Sequence, residues 1–197
     1  METGNNNILR VPTLGVTRLS DNDKDPLESP WLQRLEQVES ELAIRNLIAR
    51  YGMAVDCGDA EAAAALHTEN CIYEVSAPGT GRDDADMHTQ PSLVMEGRQA
   101  IRDMVLGAGH QALLPFCAHT VGPLEVSVAG DRATAMGYSR LYHDAGGVTR
   151  LMRLGFNRWH LLKQNQRWRI ACRTSCPIGS EAAQQLLRDG IGDWSDI

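Results

Sequence analysis

The sequence predicts an α+β domain in which helices come first and an antiparallel sheet follows. In the N-terminal part of the chain, apolar residues recur at helical spacing. Between residues 116 and 175, four consecutive strand-like segments are separated by short turns rich in glycine, asparagine and aspartate. Helices and strands that are segregated along the chain indicate an α+β fold rather than an alternating α/β fold.

The length of 197 residues fits a single domain with an additional segment. Residues 1–30 are rich in asparagine, aspartate, serine and proline and have no apolar period, so we expect an N-terminal arm there. The domain itself is expected to occupy residues 31–197. Its first helix should begin near Pro30, and Leu35, Val38 and Leu42 should carry the first part of its apolar stripe.

The central helical stretch spans residues 41–59 and is the element around which we expect the rest to pack. Its apolar stripe consists of Ile44, Leu47, Ile48, Tyr51, Gly52 and Val55. Asp56 lies at the border of that stripe, where a carboxylate can face an apolar interior. Gly58 suits the left-handed residue that ends a helix, and Asp59 suits the cap of the next helix.

The segments that follow are shorter. They are an alanine-rich helix over residues 59–67, a strand over 71–75, a polar loop over 76–91 and a helix over 96–106. The loop contains Asp83, Asp84 and Asp86, which we interpret as a solvated face rather than a metal site.

The four strands are predicted over residues 116–129, 132–143, 148–163 and 167–175, and a closing helix over 179–189. The third strand is apolar on both faces, so it should be covered on both sides by helices or by another subunit. In the last strand, strict alternation places Arg169 and Arg173 on the face opposite Trp168 and Ile170. A strongly curved sheet wrapped around the first helix would form a cone with an apolar interior.

Composition excludes several classes of function. The net charge of −6 argues against nucleic acid as a partner, because binding phosphates requires a basic face. No apolar run approaches the length of a membrane helix, and the N-terminus lacks the features of a signal peptide, so we expect a cytoplasmic protein. Five cysteines without CxxC spacing indicate neither a disulfide framework nor a zinc site.

Four polar residues could converge on one site: Tyr51, Asp56, His119 and Arg173. An imidazole titrates near neutral pH, and a neighbouring carboxylate fixes its tautomer, so His119 could act as a general base oriented by Asp56. The sequence has no G-x-S-x-G motif and no glycine-rich phosphate loop. Such a pair without a nucleophile suits proton abstraction rather than acyl transfer.

The remaining polar candidates have two interpretations each. Arg173 could bind a departing anion or an enolate oxygen, or could be a surface arginine paired with an acid. Tyr51 and Tyr73 could donate hydrogen bonds to a substrate oxygen, or could be aromatic core residues. We expect structural or exposed roles for the other histidines, which are His67, His88, His110, His143 and His160. Solvent or a subunit interface is expected for Arg150, Arg153 and Arg158.

Four segments carry a resemblance to a known family. They are IRNLIARYGMAVDCGD, MEGRQAIRDMV, AHTVGPLEVSV and RWRIACRTSC, and they start at Ile44, Met95, Ala118 and Arg167. Together they resemble the SnoaL-like branch of the NTF2-like superfamily, over roughly residues 35–178. That branch includes scytalone dehydratase, bile-acid 7α-dehydratase and the hexachlorocyclohexane dehydrochlorinase.

The resemblance implies a cone-shaped α+β barrel with a curved antiparallel sheet around N-terminal helices, no cofactor, and a homo-oligomer, with a trimer favoured. Asp56 and His119 stand where the dehydratases and the dehydrochlorinase carry their aspartate–histidine pair. Tyr51 and Arg173 match a helix tyrosine and a strand arginine of several members, and Tyr73 is a looser match to a pocket tyrosine.

The resulting hypothesis is a cofactor-free lyase of the dehydratase type, acting on an apolar cyclic compound of polyketide, steroid or aromatic type. The same pair could instead run an isomerisation or a polyketide-type cyclisation, since both also begin by moving a proton. A third hypothesis is a non-catalytic protein like the small subunits of ring-hydroxylating dioxygenases, which share this fold.

Overall fold

In a computed structural model, the residues described are 28–76 and 93–192. The chain divides into two compact units, residues 1–35 and 36–197, and the features below belong to the second unit unless stated otherwise. The helices are α1 (Glu28–Asp56), α2 (Ala60–Ala65), α3 (Gly97–Leu106), α4 (Ala108–Gln111) and α5 (Glu181–Ile191). The strands are β1 (His67–Val75), β2 (Leu93–Glu96), β3 (Cys117–Val121), β4 (Glu125–Ala129), β5 (Arg132–Ala145), β6 (Val148–Gln164) and β7 (Arg167–Pro177).

The seven strands form one curved, unclosed sheet in the order β2-β1-β7-β6-β5-β3, with β4 also paired to β5. All pairings are antiparallel except that between β1 and β7, which is parallel. The predicted α+β class is therefore confirmed, with one parallel pair in a sheet that was predicted to be antiparallel. The predicted strand over residues 116–129 is divided by Gly122-Pro123-Leu124 into β3 and β4.

The C-terminal half of α1 packs onto the sheet. Ile44, Leu47 and Ile48 are buried against a cluster from β5, β6 and β7 that includes Trp159 and Ile170. The predicted apolar stripe of this stretch is confirmed. Further toward the N-terminus of the helix the prediction was wrong, because Leu35, Val38 and Leu42 are 54%, 53% and 56% exposed. Among the described residues, the packing of α1 against the sheet begins at Ile44.

The end of α1 has the predicted local chemistry. Gly58 has a φ of +74°, the left-handed conformation that closes helices. Asp59 caps α2 by accepting a hydrogen bond from the backbone N–H of Ala62 at 2.9 Å. The helix stops at Ala65, before the predicted end, because His67 already belongs to β1 and pairs with Ile170 of β7.

From Gly155 onward, strand β6 is covered on both faces, as its sequence predicted, whereas Val148, Leu151 and Met152 at its start are exposed. Trp159 and Leu161 face the cluster under α1, whereas Phe156 packs with Ala183 and Leu186 of α5 on the other side. Helix α1 therefore covers one face of this strand, and helix α5 covers the other.

A β-bulge in β7 overturns the predicted assignment of its two faces. His160 pairs with Cys172 and Leu161 pairs with Ile170, so Ala171 has no partner and the alternation shifts by one residue. Arg173 consequently lies on the same buried side as Ile170, and not with Arg169. Strict alternation failed here because one unpaired residue exchanges the two faces.

Two predictions fall outside the described residues. They are the body of the N-terminal arm (residues 1–27) and the polar loop with its acidic cluster and His88 (residues 77–92). The boundary at residue 30 and the expected cytoplasmic location stay predictions. Within the described part of the chain, no helix has both the length and the hydropathy to cross a bilayer.

Candidate active site

Asp56 at the end of α1 and His119 on β3 are in direct contact. The ring Nδ1 of His119 lies 2.6 Å from Oδ1 of Asp56, and the backbone N–H of His119 donates to Oδ2 at 2.8 Å. The carboxylate therefore holds both the ring and the backbone of the same residue. Because a carboxylate accepts, Nδ1 carries the proton, and the lone pair of a neutral imidazole is on Nε2.

A glycine allows this contact to form. Gly52 faces the backbone of β3, and a Cβ atom at this position would lie 2.8 Å from the carbonyl oxygen of His119. Such a separation is too short for any residue with a side chain. The absence of a side chain lets α1 approach β3, and Asp56, one turn further on, then reaches His119.

The ionised state of Asp56 is favoured by its contacts. Burial by itself would raise the pKa of this carboxyl group, but the hydrogen bonds from the side chain and backbone of His119 outweigh burial and lower it. Asp56 is consequently a carboxylate at neutral pH and can stabilise a positive charge on His119 when the ring takes up a proton.

Cys117 is a third member of the cluster that sequence reasoning did not select. Its thiol donates toward Oδ1 of Asp56 at 3.5 Å, and its pKa rises to about 11 through burial and the adjacent carboxylate. Ligand atoms of Asp56, Cys117 and His119 lie within 4.8 Å of one another, a spacing that could hold a metal ion. A metal would have to displace the protons on the thiol and on Nδ1, because a thiol coordinates as its thiolate.

His119 lines an inner chamber with a volume of about 120 Å³. An engineered cavity of about 150 Å³ binds benzene, so this chamber holds about one six-membered ring. Its apolar and aromatic lining residues are Ile48, Tyr51, Tyr73, Val75, Val121, Leu141 and Trp159. Its polar lining residues are His119, Thr120, Ser139, Arg140, Arg153, Arg173 and Ser175.

Arg173 is buried in this chamber with only 8% of its surface exposed. Its Nε and Nη2 groups donate to Oδ1 of Asn157 at 3.1 and 2.9 Å, and Asn157 in turn donates to Ser139 at 2.7 Å. The guanidinium also lies 4.5 Å from the ring centre of Tyr73 and 5.3 Å from that of Trp159. An amide oxygen and aromatic faces thus hold the charge in place.

Both candidate tyrosines line the same chamber and are buried. Burial raises the pKa of Tyr51 well above its ordinary value, so its hydroxyl stays protonated and neutral. Tyr51 also packs edge-to-face on His67, whose ring is 1% exposed and whose Nδ1–H donates to the carbonyl of Ala63 at 2.9 Å. Burial lowers the pKa of His67 to about 4, which keeps that ring neutral and structural.

Arg153 corrects the expectation of a solvent or interface position. It lines the chamber, and its Nη2 donates to the backbone carbonyl of Ser76 at 2.9 Å. The same nitrogen lies 3.4 Å from the carbonyl and from Oγ of Ser175. Burial lowers the pKa of Arg153, and the charge of nearby Arg173 lowers it further.

The sequence did contain a signal for Arg153 and Asn157. Both have the same parity as Trp159 and Leu161 in β6, so alternation places all four side chains on the face toward α1. Cys117 had the corresponding signal, two residues before His119 on β3. Neither alternation nor spacing, however, indicates which inward polar side chains meet one another.

A second, larger cavity is lined by both members of the pair. This outer groove has a volume of about 460 Å³ and shares Ile48, His119, Thr120 and Val121 with the chamber. The rest of its lining is Arg45, Ala49, Met53, Asp56, Gly122, Pro123 and Leu124. The histidine therefore faces both spaces.

An α1 helix laid on a curved sheet, with an aspartate–histidine pair whose histidine lines an internal chamber, defines the class as an α+β protein with an enclosed candidate site. The chain belongs to the SnoaL-like domain family, whose family model matches residues 36–174. No curated protein matches the chain.

Solved structures agree with this assignment. An NTF2-like protein with a cystatin-like fold from Novosphingobium aromaticivorans is 34% identical, covers 84% of this chain and 98% of its own, and has a TM-score of 0.68. A provisionally assigned scytalone dehydratase from the same organism is 16% identical, covers 72% and 95% of the two chains, and has a TM-score of 0.57. The beta subunit of a provisionally assigned aromatic-ring-hydroxylating dioxygenase, also from that organism, is 21% identical, covers 74% and 91%, and has a TM-score of 0.57. The last two show the fold alone.

Proposed function

We propose that the protein is a cofactor-free lyase that eliminates water from a small ring compound, with His119 as the general base. The observation that carries this proposal is the contact of 2.6 Å between Nδ1 of His119 and Oδ1 of Asp56, with His119 lining a mainly apolar chamber. An oriented imidazole beside an ionised carboxylate is suited to remove a proton from a carbon atom next to a carbonyl group.

The reaction would proceed in two steps. Nε2 of His119 takes the proton, and the electron pair of the broken C–H bond moves to the carbonyl oxygen, forming an enolate. Arg173 and the hydroxyl of Tyr51 stabilise that negative oxygen. The enolate then reforms the carbonyl group and expels the hydroxyl group on the next carbon, which leaves as water with the proton returned from His119.

The chamber favours a smaller substrate than the polyketide or steroid expected from the family resemblance. A volume of about 120 Å³ accommodates about one ring. A substrate with more rings would have to extend past His119 into the outer groove of about 460 Å³.

The non-catalytic alternative has equal support from the fold. The dehydratase-like and dioxygenase-subunit-like neighbours have the same TM-score of 0.57, so the choice between them depends on the site. A protein that only assembles with a larger subunit has no need of a histidine whose ring and backbone are both held by one carboxylate. We therefore favour the enzyme.

The test is conversion of single-ring ketones, with 3-hydroxycyclohexanone as the first probe. The wild type should release a product lighter by the mass of one water, whereas an isomerase would leave the mass unchanged. His119→Asn should lower the rate by about 10² to 10⁴-fold, the usual contribution of a general base. His160→Asn, which changes an exposed histidine on β6, serves as the control. Undiminished turnover in His119→Asn would refute the mechanism.

Exchange of substrate protons for deuterium in D₂O measures proton abstraction separately from the loss of the hydroxyl group. Cyclohexanone has no hydroxyl group to lose, yet the enzyme should still exchange its protons next to the carbonyl group. Exchange that depends on His119 without elimination from the hydroxyketone would instead favour the isomerase alternative.

A further inference from the structure

The inner chamber has a surplus of positive charge. Three arginines line it, Arg140, Arg153 and Arg173, and no aspartate or glutamate does so among the described residues. The chain as a whole carries a net charge of −6, so this local excess runs against the overall composition. A buried or partly buried cation without an acid partner is costly, which indicates that an anion completes the site.

Arg153 has N–H donors that the protein leaves unused, whereas Arg173 is more fully bonded. Neither Arg153 nor Arg173 forms an ion pair with any described residue. Arg173 uses Nε and Nη2 on Asn157, and Arg153 uses Nη2 on the carbonyl of Ser76. Arg173 also forms a side-chain hydrogen bond with Tyr51. Within residues 28–76 and 93–192, no acceptor takes the N–H groups on Nη1 and Nε of Arg153.

The two guanidiniums are fixed before any ligand arrives. Asn157 and the rings of Tyr73 and Trp159 hold Arg173, while Ser76 and Ser175 hold Arg153. Fixed guanidinium groups recognise planar anions such as carboxylates through paired N–H donors. One arginine suffices for an enolate oxygen, so the second indicates a further negative group on the substrate.

We propose that Arg153 is a specificity-determining residue that binds a carboxylate on the substrate, so that the substrate is a single-ring carboxylic acid. The inference rests on the proposed function, because it takes the chamber beside His119 as the substrate site. Arg153 anchors the acid group, Arg173 remains free for the carbonyl oxygen, and the aromatic walls enclose the ring. The positive chamber also attracts such an anion at a distance and repels cations.

The test compares benzoate with benzamide by isothermal titration calorimetry at low ionic strength. The two probes have nearly the same size and shape and differ in charge. Wild-type protein should bind benzoate at least about tenfold more tightly than benzamide, as expected for charge-assisted hydrogen bonds. Added salt should reduce that preference. Equal affinities, or no binding of either probe, would overturn the inference.

Substitutions at Arg153 test whether this residue causes the preference for benzoate over benzamide. Arg153→Gln should bring the affinity for benzoate down to that for benzamide, whereas Arg150→Gln, on an exposed position of the same strand, should leave it within about twofold of wild type. Arg153→Lys keeps the charge but lacks the paired N–H donors, so it should retain only part of the preference; this variant also covers the case in which the glutamine variant does not fold. A benzoate preference that survives in Arg153→Gln, or that is undiminished in a folded Arg153→Lys, would contradict the assignment.

The experiment also distinguishes this inference from the proposed reaction. Benzoate has no acidic C–H bond, so the titration measures the carboxylate site without using His119 as a base. A failed elimination assay would contradict the proposed reaction but not the carboxylate site. A failed benzoate titration would contradict the carboxylate site but not the role of His119 as a base.

Discussion

The two cavities that meet at His119 differ in how their arginines are neutralised. In the outer groove, Arg45 donates to the backbone carbonyl of Leu124 and lies 3.8 Å from the carboxylate of Glu41. In the inner chamber, Arg153 and Arg173 have only neutral partners among the described residues. The groove arginine is therefore satisfied by the protein, whereas the chamber arginines retain an attraction for an external anion.

The cavities also differ in size, at about 460 Å³ for the groove and about 120 Å³ for the chamber. We infer a division of roles from these differences. The chamber would select charge and hold the reacting ring, and the groove would receive whatever extends beyond that ring. Asp56 lines the groove side and positions the histidine that both spaces share.

The largest effect is expected from removing the charge that orients the histidine. Asp56→Asn leaves one oxygen to serve two N–H donors and removes the charge that stabilises a protonated His119. Turnover should fall by about 10²-fold or more, and unfolding free energy by about 1–3 kcal/mol at neutral pH. Rates on 3-hydroxycyclohexanone and urea unfolding measure the two effects, with the exposed Asp131→Asn as the control.

The pH dependence of that stability difference has a definite sign. The folded-state pKa of Asp56 is lower than in the unfolded chain, so its stabilising contribution is present above the ordinary aspartate pKa near ~3.9. It is lost as the pH falls through the folded value. The gap between wild type and Asp56→Asn should accordingly shrink below about pH 4. A gap that persists undiminished at lower pH would show that the carboxylate is not stabilised in the folded protein.

A smaller effect should follow from a substitution that moves helix α1 away from strand β3. In Gly52→Ala the new Cβ would lie 2.8 Å from the carbonyl oxygen of His119, so α1 must move away from β3. We expect a loss of about 1–3 kcal/mol from overpacking and a fall in turnover of about tenfold. Urea unfolding and steady-state kinetics are the measurements.

Gly109→Ala provides the matched control, since its Cβ would meet nothing within 4 Å and the residue lies in helix α4. It should be neutral or stabilising by up to about 1 kcal/mol. If both glycine variants behave alike, close approach at Gly52 has no part in positioning Asp56.

Local patterns predicted much of the fold and little of the chamber. Apolar spacing identified the buried half of α1, and Gly58 and Asp59 marked its end, because each of these signals arises within a few residues of chain. The face of Arg173 was predicted wrongly, since the bulge at Ala171 is set by pairing with β6 and β1. A single unpaired residue of this kind leaves no trace in the alternation.

The same dependence on long-range contacts explains why the candidate site was predicted only in part. The resemblance to the family placed Asp56 and His119 together, although residues 63 positions apart give no distance by themselves. Arg153 was missed because an arginine is exposed in most proteins, and only its partners Ser76 and Ser175 reveal an inward position. Which polar residues share a cavity is a property of strand register and of the helix position, and these depend on contacts across the whole sheet.

The smallest effect, and the sharpest test of the division between the cavities, is expected at Met53. This side chain is 68% exposed and lines the outer groove but not the chamber. With a single-ring ketone, Met53→Ala should change kcat/KM by less than about twofold, because exposed side chains away from the reacting ring contribute little. With a fused-ring hydroxyketone the KM should rise by about fivefold, since the additional ring loses an apolar contact of roughly 1 kcal/mol. Met152→Ala, at a methionine that is 54% exposed and lies in neither cavity, should leave both substrates unaffected. Equal effects of Met53→Ala on the two substrates would mean that the groove does not receive the second ring, and that the chamber alone sets the size of the substrate.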